Sequence, residues 1–273
     1  MTNLKQRVLT GTILAILIIT SILGGVYSFT ILILAINLLS LMEFYQLFHL
    51  YTLRPRNILG TLFSEIILIS FTLVIANSNN WRILLINIIA AFCIFLLELY
   101  LKSATPFQNL SLIFFGIICI TIPLCFFIGI AFFTDGPARY QQQLILGYFF
   151  ILWASDTGAY FVGKNMGKRH LFKRISPNKT WEGSIGGMIT ALLIAYFTSL
   201  YFTTLHTADW MCIALIIVVI GTFGDLIKSM MKRSLNLKDS GTILPGHGGM
   251  LDRFDSLLSS APFVFCYLKL FMN

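Results

Sequence analysis

The chain has 273 residues, 57% of them hydrophobic and 11% charged, with a formal charge of +8. An average soluble domain carries roughly 25% charged residues, so this composition excludes a water-soluble fold and indicates an integral membrane protein. The excess positive charge does not imply nucleic acid, because the basic residues sit in short loops between apolar runs, beside anionic lipid head groups.

Lys5 and Arg7 precede an apolar run from Val8. No small-x-small cleavage site follows, and a second apolar run begins almost at once, so a retained first span is expected rather than a signal peptide. A bilayer-crossing helix needs about 20 mostly apolar residues. By that measure nine spans are predicted, at 8–25, 28–48, 58–76, 81–101, 110–133, 143–163, 183–204, 209–231 and 251–271. The expected fold is an all-α, polytopic transmembrane helix bundle. Residues 1–140 form an N-terminal scaffold and 141–273 a C-terminal catalytic region, within one continuous membrane domain. The five cysteines lie singly in apolar stretches and read as packing residues.

With the N-terminus in the cytoplasm, all but Arg82, Arg139 and Lys269 of the 19 lysines and arginines fall on the inner side. The positive-inside rule therefore favours that orientation. The outer connections are short, whereas two inner loops, 164–182 and 232–250, are long and basic.

The informative polar residues follow Trp153. Asp156, Glu182, Asp225, Asp239, Asp252 and Asp255 lie near the inner face, where ionisable groups tend to be paired, solvated or functional. Asp252 and Asp255 are three apart at the expected start of the last helix, which would place them on one helical face. Together with Asp225 they form a set of hard oxygen donors suited to Mg²⁺. The alternative is local pairing, Asp225 with Lys228 or Lys232 and Asp252 with Arg253. Ser176-Pro177-Asn178-Lys179-Thr180 reads as a turn feeding a helix that opens at Glu182 and Gly183, a place where backbone amides can receive phosphate. Lys164, Lys168, Arg169, Lys173 and Arg174 suit either phosphate or lipid head groups. In the second loop, glycines flank His247 and permit close backbone approach to a ligand. No GxxxxGK[ST] run is present, so this is not a P-loop site.

Residues 229–255 read SMMKRSLNLKDSGTILPGHGGMLDRFD. This stretch resembles the signature of the phosphatidate cytidylyltransferases, the CDP-diacylglycerol synthases, with its fixed positions filled by Ser229, Lys232, Arg233, Lys238, Asp239, Gly241, His247, Gly248, Gly249, Asp252, Arg253 and Asp255. Asp156–Tyr160, Ser176–Gly183 and Gly224-Asp225 also resemble the family, so the likeness spans at least 153–260. It implies transfer of a cytidylyl group from CTP to phosphatidic acid, with Mg²⁺ and room for a second cation such as K⁺. It further implies contact with membrane lipids and a homodimer, and the short chain without extra domains is expected to belong to a bacterial cytoplasmic (inner) membrane. On that reading Asp225, Asp252 and Asp255 hold metal, and Lys179, Lys232, Arg233 and Lys238 hold phosphates. Ser176, Asn178 and His247 orient substrate, while Thr180, Asp239, Gly248, Gly249 and Arg253 line the substrate site and Asp156 supports it.

Three rivals remain at this point. A CTP-dependent lipid kinase of the polyprenol or dolichol type would share the site but transfer the γ-phosphate. A CDP-alcohol phosphotransferase has a weak echo in Asp135–Arg139, with spacing one residue short. An ion-coupled transporter would use the acids but should show pseudo-symmetric halves.

Overall fold

The computed structural model describes residues 3–49, 57–76, 80–101, 103–133, 140–241, 243 and 248–272, with backbone alone at 3–5, 7 and 49. His247, the Asp135–Arg139 segment, Arg54, Arg56, Lys102 and most of the expected outer connections at 77–80 and 134–142 lie outside the described residues.

Each of the nine predicted spans is helical. The helices are α1 (Asn3–Leu23), α2 (Val26–His49), α3 (Asn57–Ala76), α4 (Ile86–Tyr100), α5 (Pro106–Gly116), α6 (Ile122–Ala131), α7 (Gln142–Met166), α8 (Trp181–Tyr201), α9 (Thr207–Ser234) and α10 (Asp255–Phe271). A 3₁₀ turn at Trp81–Leu85 leads into α4. A π turn at Ile117–Thr121 joins α5 to α6 as one span. Pro123 accounts for the wider turn, because it has no N–H and its ring crowds the carbonyl four residues back. Seven of these stretches are long and apolar enough to cross a membrane. In α1 the apolar part is only Val8–Leu23. The last helix has 17 residues and includes Asp255, three serines and Pro262.

The chain divides into two compact units, residues 1–140 with 239–253, and residues 141–238 with 254–273. In the first unit, α2 buries Phe29, Ile33, Ile36, Asn37, Ser40, Leu41, Phe44 and Tyr45, a stripe at three- and four-residue spacing. Tyr45 reaches α5 and donates to the Ile113 carbonyl at 3.2 Å. Asn37 donates to Ser64 Oγ and Glu65 Oε1, each at 2.9 Å, and accepts from Thr121 Oγ1 at 3.0 Å. Water is not available to such groups in a bilayer, so these bonds between helices fasten α2 to α3 and the π turn.

In the second unit α7 runs along α8, and α9 packs against both α8 and α10. Glycines set the α7–α8 approach. A Cβ on Gly183 would lie 2.9 Å from the Ala159 carbonyl oxygen, and one on Gly187 2.8 Å from that of Ser155. Thr190 Oγ1 crosses the same interface to the Ala154 carbonyl at 3.0 Å. The Gly183/Gly187 stripe is therefore occupied by α7 of the same chain. Tyr148, fully buried on α7, reaches α10 through a 2.6 Å hydrogen bond with Ser260 Oγ.

Candidate active site

The loop between α7 and α8 folds as a hairpin, β1 (His170–Phe172) and β2 (Ser176–Thr180), paired antiparallel. The sequence pattern predicts a turn at Ser176–Thr180; the reversal instead falls at Lys173–Ile175, and Ser176–Thr180 is extended. Pro177 accommodates this because its fixed φ suits an outer strand. Glu182 anchors the base of the hairpin by accepting from the backbone amides of Lys168 (3.1 Å) and Arg169 (3.1 Å). Thr180 caps α8, its Oγ1 accepting from Gly183 N at 3.1 Å. With that amide satisfied and Glu182 in the first turn, the α8 end offers less to an anion than the loop sequence suggests. The basic group beside it is Lys179.

The strand delivers Asn178, Lys179 and Thr180 to a cleft of about 250 Å³, completed by Asp156, Ala159 and Tyr160 from α7 and by Gly221, Thr222 and Asp225 from α9. Small-molecule pockets run from about 300 to 1,000 Å³, so this cleft is at or below the small end of that range. Lys179 Nζ forms an ion pair with Asp225 Oδ2, and Ser229 Oγ lies 3.4 Å from Asp225 Oδ1. The side chains of Lys179 and Asp225 are 28% and 31% exposed, so the pair is reachable from outside the protein.

Spacings of three and seven residues put Asp225, Lys228 and Lys232 on one face of α9. That face meets Asp255 at the start of α10. Lys228 Nζ is 3.1 Å from Asp255 Oδ1, and Lys232 Nζ 3.9 Å from Oδ2. Asp255 is 5% exposed. The pairing alternative for Asp225 thus takes another form, Lys179 with Asp225 and Lys228 with Asp255. Arg233 donates from Nη1 to the Leu237 carbonyl at 3.1 Å and from Nε towards the Ile175 carbonyl at 3.4 Å, which links the end of α9 to the hairpin turn. Ser176 opens β2 and does not line the cleft.

The signature divides between the units, with Ser229–Lys238 and Asp255 in the second and Asp239–Arg253 in the first. Asp252 and Asp255 do not share a helical face as expected, since Asp252 lies in a separate 3₁₀ turn, Leu251–Arg253, and α10 opens only at Asp255. The reason is local. Asp252 Oδ2 accepts from Ser240 N at 2.9 Å and Gly249 N at 3.3 Å, closing the turn on itself. Gly248 has φ +84°, a backbone angle that glycine adopts without strain. Among the described residues no three His, Cys, Asp or Glu side chains gather into a metal-sized group. Lys228 and Glu182 are contacts that the motif reading did not assign. Helical periodicity points to Lys228; Glu182 carries no comparable signal.

The sequence model of the cytidylyltransferase family matches residues 5–271. A protein named phosphatidate cytidylyltransferase from Bacillus subtilis is 35% identical over 276 residues, covering 99% of this chain and 100% of its own. The protein of that name from Staphylococcus aureus strain COL is 34% identical over 262 residues, 95% of this chain and 96% of its own. One from Haemophilus influenzae is 43% identical over 146 residues, about half of each chain. With a family match from residue 5 to 271 and similarity running the length of two relatives, this chain belongs to the cytidylyltransferase family.

Proposed function

We propose that this integral membrane protein transfers the cytidylyl group of CTP to phosphatidic acid, giving CDP-diacylglycerol and pyrophosphate. The observation that carries this reading is near full-length similarity to proteins named for that activity. The cleft beside Lys179 and Asp225 supports it, as a place where anionic substrates meet cations at the end of a helix bundle.

Both substrates are polyanions. Their approach needs cations fixed in advance, because positioned charge does most of the work in phosphoryl-type transfers. A phosphate oxygen of the lipid attacks the α-phosphorus of CTP and the α–β bridging bond breaks, so no protein nucleophile is required. Lys179 sits where it can exchange Asp225 for a phosphate oxygen. Lys228 and Lys232 hold Asp255 in place, and Lys232, Arg233 and Lys238 place further positive charge along the end of α9. Asn178 and Thr180 orient the bound group by hydrogen bonds, and Asp156 lines the same cleft.

The donor chemistry fits a divalent cation. Asp225 and Asp255 are hard oxygen donors on neighbouring helices, and Asp255 Oδ1 is paired with Lys228 at 3.1 Å, a cation that Mg²⁺ would displace or share. Asp225 and Asp255 are thus the pair that would hold Mg²⁺, with a second cation such as K⁺ part of the same proposal, and Mg²⁺ would supply neutralisation of phosphate charge. Asp252 is the third acid of the sequence expectation and is tested separately by Asp252→Asn. The basic loops support a site at the cytoplasmic face of a bacterial inner membrane, where a lipid and a soluble nucleotide would meet. A homodimer belongs to the same proposal, by family likeness.

The test is pyrophosphate release by purified protein in detergent with CTP, phosphatidic acid and Mg²⁺. Release that requires all three supports the assignment. Release of CDP instead, with a lipid alcohol as acceptor, would establish the kinase reading in its place.

A further inference from the structure

Glu43 lies on α2, far from the signature in sequence, and is 1% exposed. Its carboxylate makes polar contacts to the signature turn. Oε2 accepts from Leu251 N at 2.9 Å and lies 3.5 Å from Ser240 Oγ. The same group leaves no room for a side chain at two signature glycines. A Cβ on Gly241 would lie 2.6 Å from Glu43 Oε1, 2.8 Å from its Cδ and 3.0 Å from its Cγ. A Cβ on Gly249 would lie 2.5 Å from Oε2. Gly241 does not have a positive φ, so its lack of a side chain answers to Glu43 and not to backbone strain.

Burying a carboxylate is unfavourable without strong compensation. Among the described residues no lysine or arginine forms an ion pair with Glu43, and its Oε1 has no hydrogen-bond partner. An apolar side chain would fill this volume at lower cost but would leave Leu251 N without an acceptor. Ser240 is held from two sides, its Oγ facing Glu43 and its N–H donated to Asp252. A shift of Glu43 therefore moves the residue that orients Asp252.

We propose that Glu43 is a positioning residue, a peg on α2 that fixes the signature turn carrying Asp239, Gly248, Gly249 and Asp252. The proposal rests on the proposed function only in treating that turn as part of the catalytic machinery.

Glu43→Asp retracts the carboxylate by one methylene, whereas Glu43→Gln keeps its length and one oxygen for Leu251 N. Both full-length variants are compared with wild type for kcat, KM, Mg²⁺ activation and hydrogen–deuterium exchange without added metal or substrate. In Glu43→Asp, kcat should fall by up to ~100-fold with KM for phosphatidic acid nearly unchanged, since misplacement by about 1 Å can cost that much. More Mg²⁺ should be needed for half-maximal rate, and amide exchange should rise in peptides spanning 239–253 but not in α8. Glu43→Gln should stay close to wild type in both readouts. Wild-type kcat and exchange in Glu43→Asp would overturn the proposal, as would equal losses in both variants without a change in exchange. Should Glu43→Asp not purify as a monodisperse species, Gly241→Ala decides: its methyl pushes on Glu43, and wild-type exchange and kcat there would overturn the proposal. If wild type itself releases no pyrophosphate from CTP and phosphatidic acid, the assigned reaction fails, while the exchange data still judge the peg.

Discussion

Replacing Lys228 by methionine should have opposite effects on stability in two backgrounds. In wild type, Asp255 is 5% exposed and faces Lys228 at 3.1 Å and Lys232 at 3.9 Å, with both lysine side chains largely buried. At an effective dielectric near 20 these contacts carry attractions of roughly 5 and 4 kcal/mol, most of which offsets desolvation. Breaking a buried pair by removing one partner costs about 3–5 kcal/mol, and Lys228→Met should fall near the lower end because Lys232 remains. For a chain of this size a loss of ~3 kcal/mol lowers Tm by roughly 6–12 °C. Asp255→Asn should cost more, since two ammonium groups then face a neutral side chain. Adding Lys228→Met to Asp255→Asn removes one of those uncompensated charges and should raise Tm. The assay is thermal unfolding of the four proteins in one detergent at one scan rate, read as a double-mutant cycle. Additive Tm shifts would refute the reasoning, because they would mean that Lys228 and Asp255 do not interact.

Three further outcomes are expected. Asp225→Asn removes the partner of Lys179 and a proposed metal donor, so turnover should fall below detection while membrane insertion and size-exclusion behaviour persist; near-normal turnover would remove Asp225 from the site. Gly187→Ala brings a methyl to 2.8 Å from the Ser155 carbonyl oxygen on the neighbouring helix, which should cost about 1–3 kcal/mol by overpacking, measured as a lower Tm. Thr180→Ala deletes the α8 cap, with an expected loss of ~1 kcal/mol, and should also loosen the hairpin base, seen as faster amide exchange in peptides covering 168–184.

The fold was largely legible because apolar run length is a strong signal, and each predicted span coincides with a helix. The edges were less legible. Thr180 moves the start of α8 earlier than hydropathy suggests, and Asp252 closes a turn that delays α10 until Asp255. The hairpin was missed because its strands are only three and five residues long, and Ser-Pro-Asn reads locally as a turn. At the site, Asp156, Asn178, Lys179, Thr180 and Asp225 line one cleft. The ion-pair partners did not follow from the motif reading. Sequence proximity favours Lys228 or Lys232 for Asp225, but the hairpin brings Lys179 to Asp225, and the crossing of α10 over α9 leaves Lys228 to Asp255. The link from Glu43 to Leu251 spans 208 positions and has no local signature in either segment.

The central claim is transfer of a cytidylyl group, and the fate of the CTP phosphates tests it most directly. Purified protein is given phosphatidic acid, Mg²⁺ and CTP labelled at either the α- or the γ-phosphate, and the lipid phase is counted. The account predicts α-label in the lipid and γ-label in released pyrophosphate. Label from the γ-position in the lipid, with none from the α-position, would contradict it.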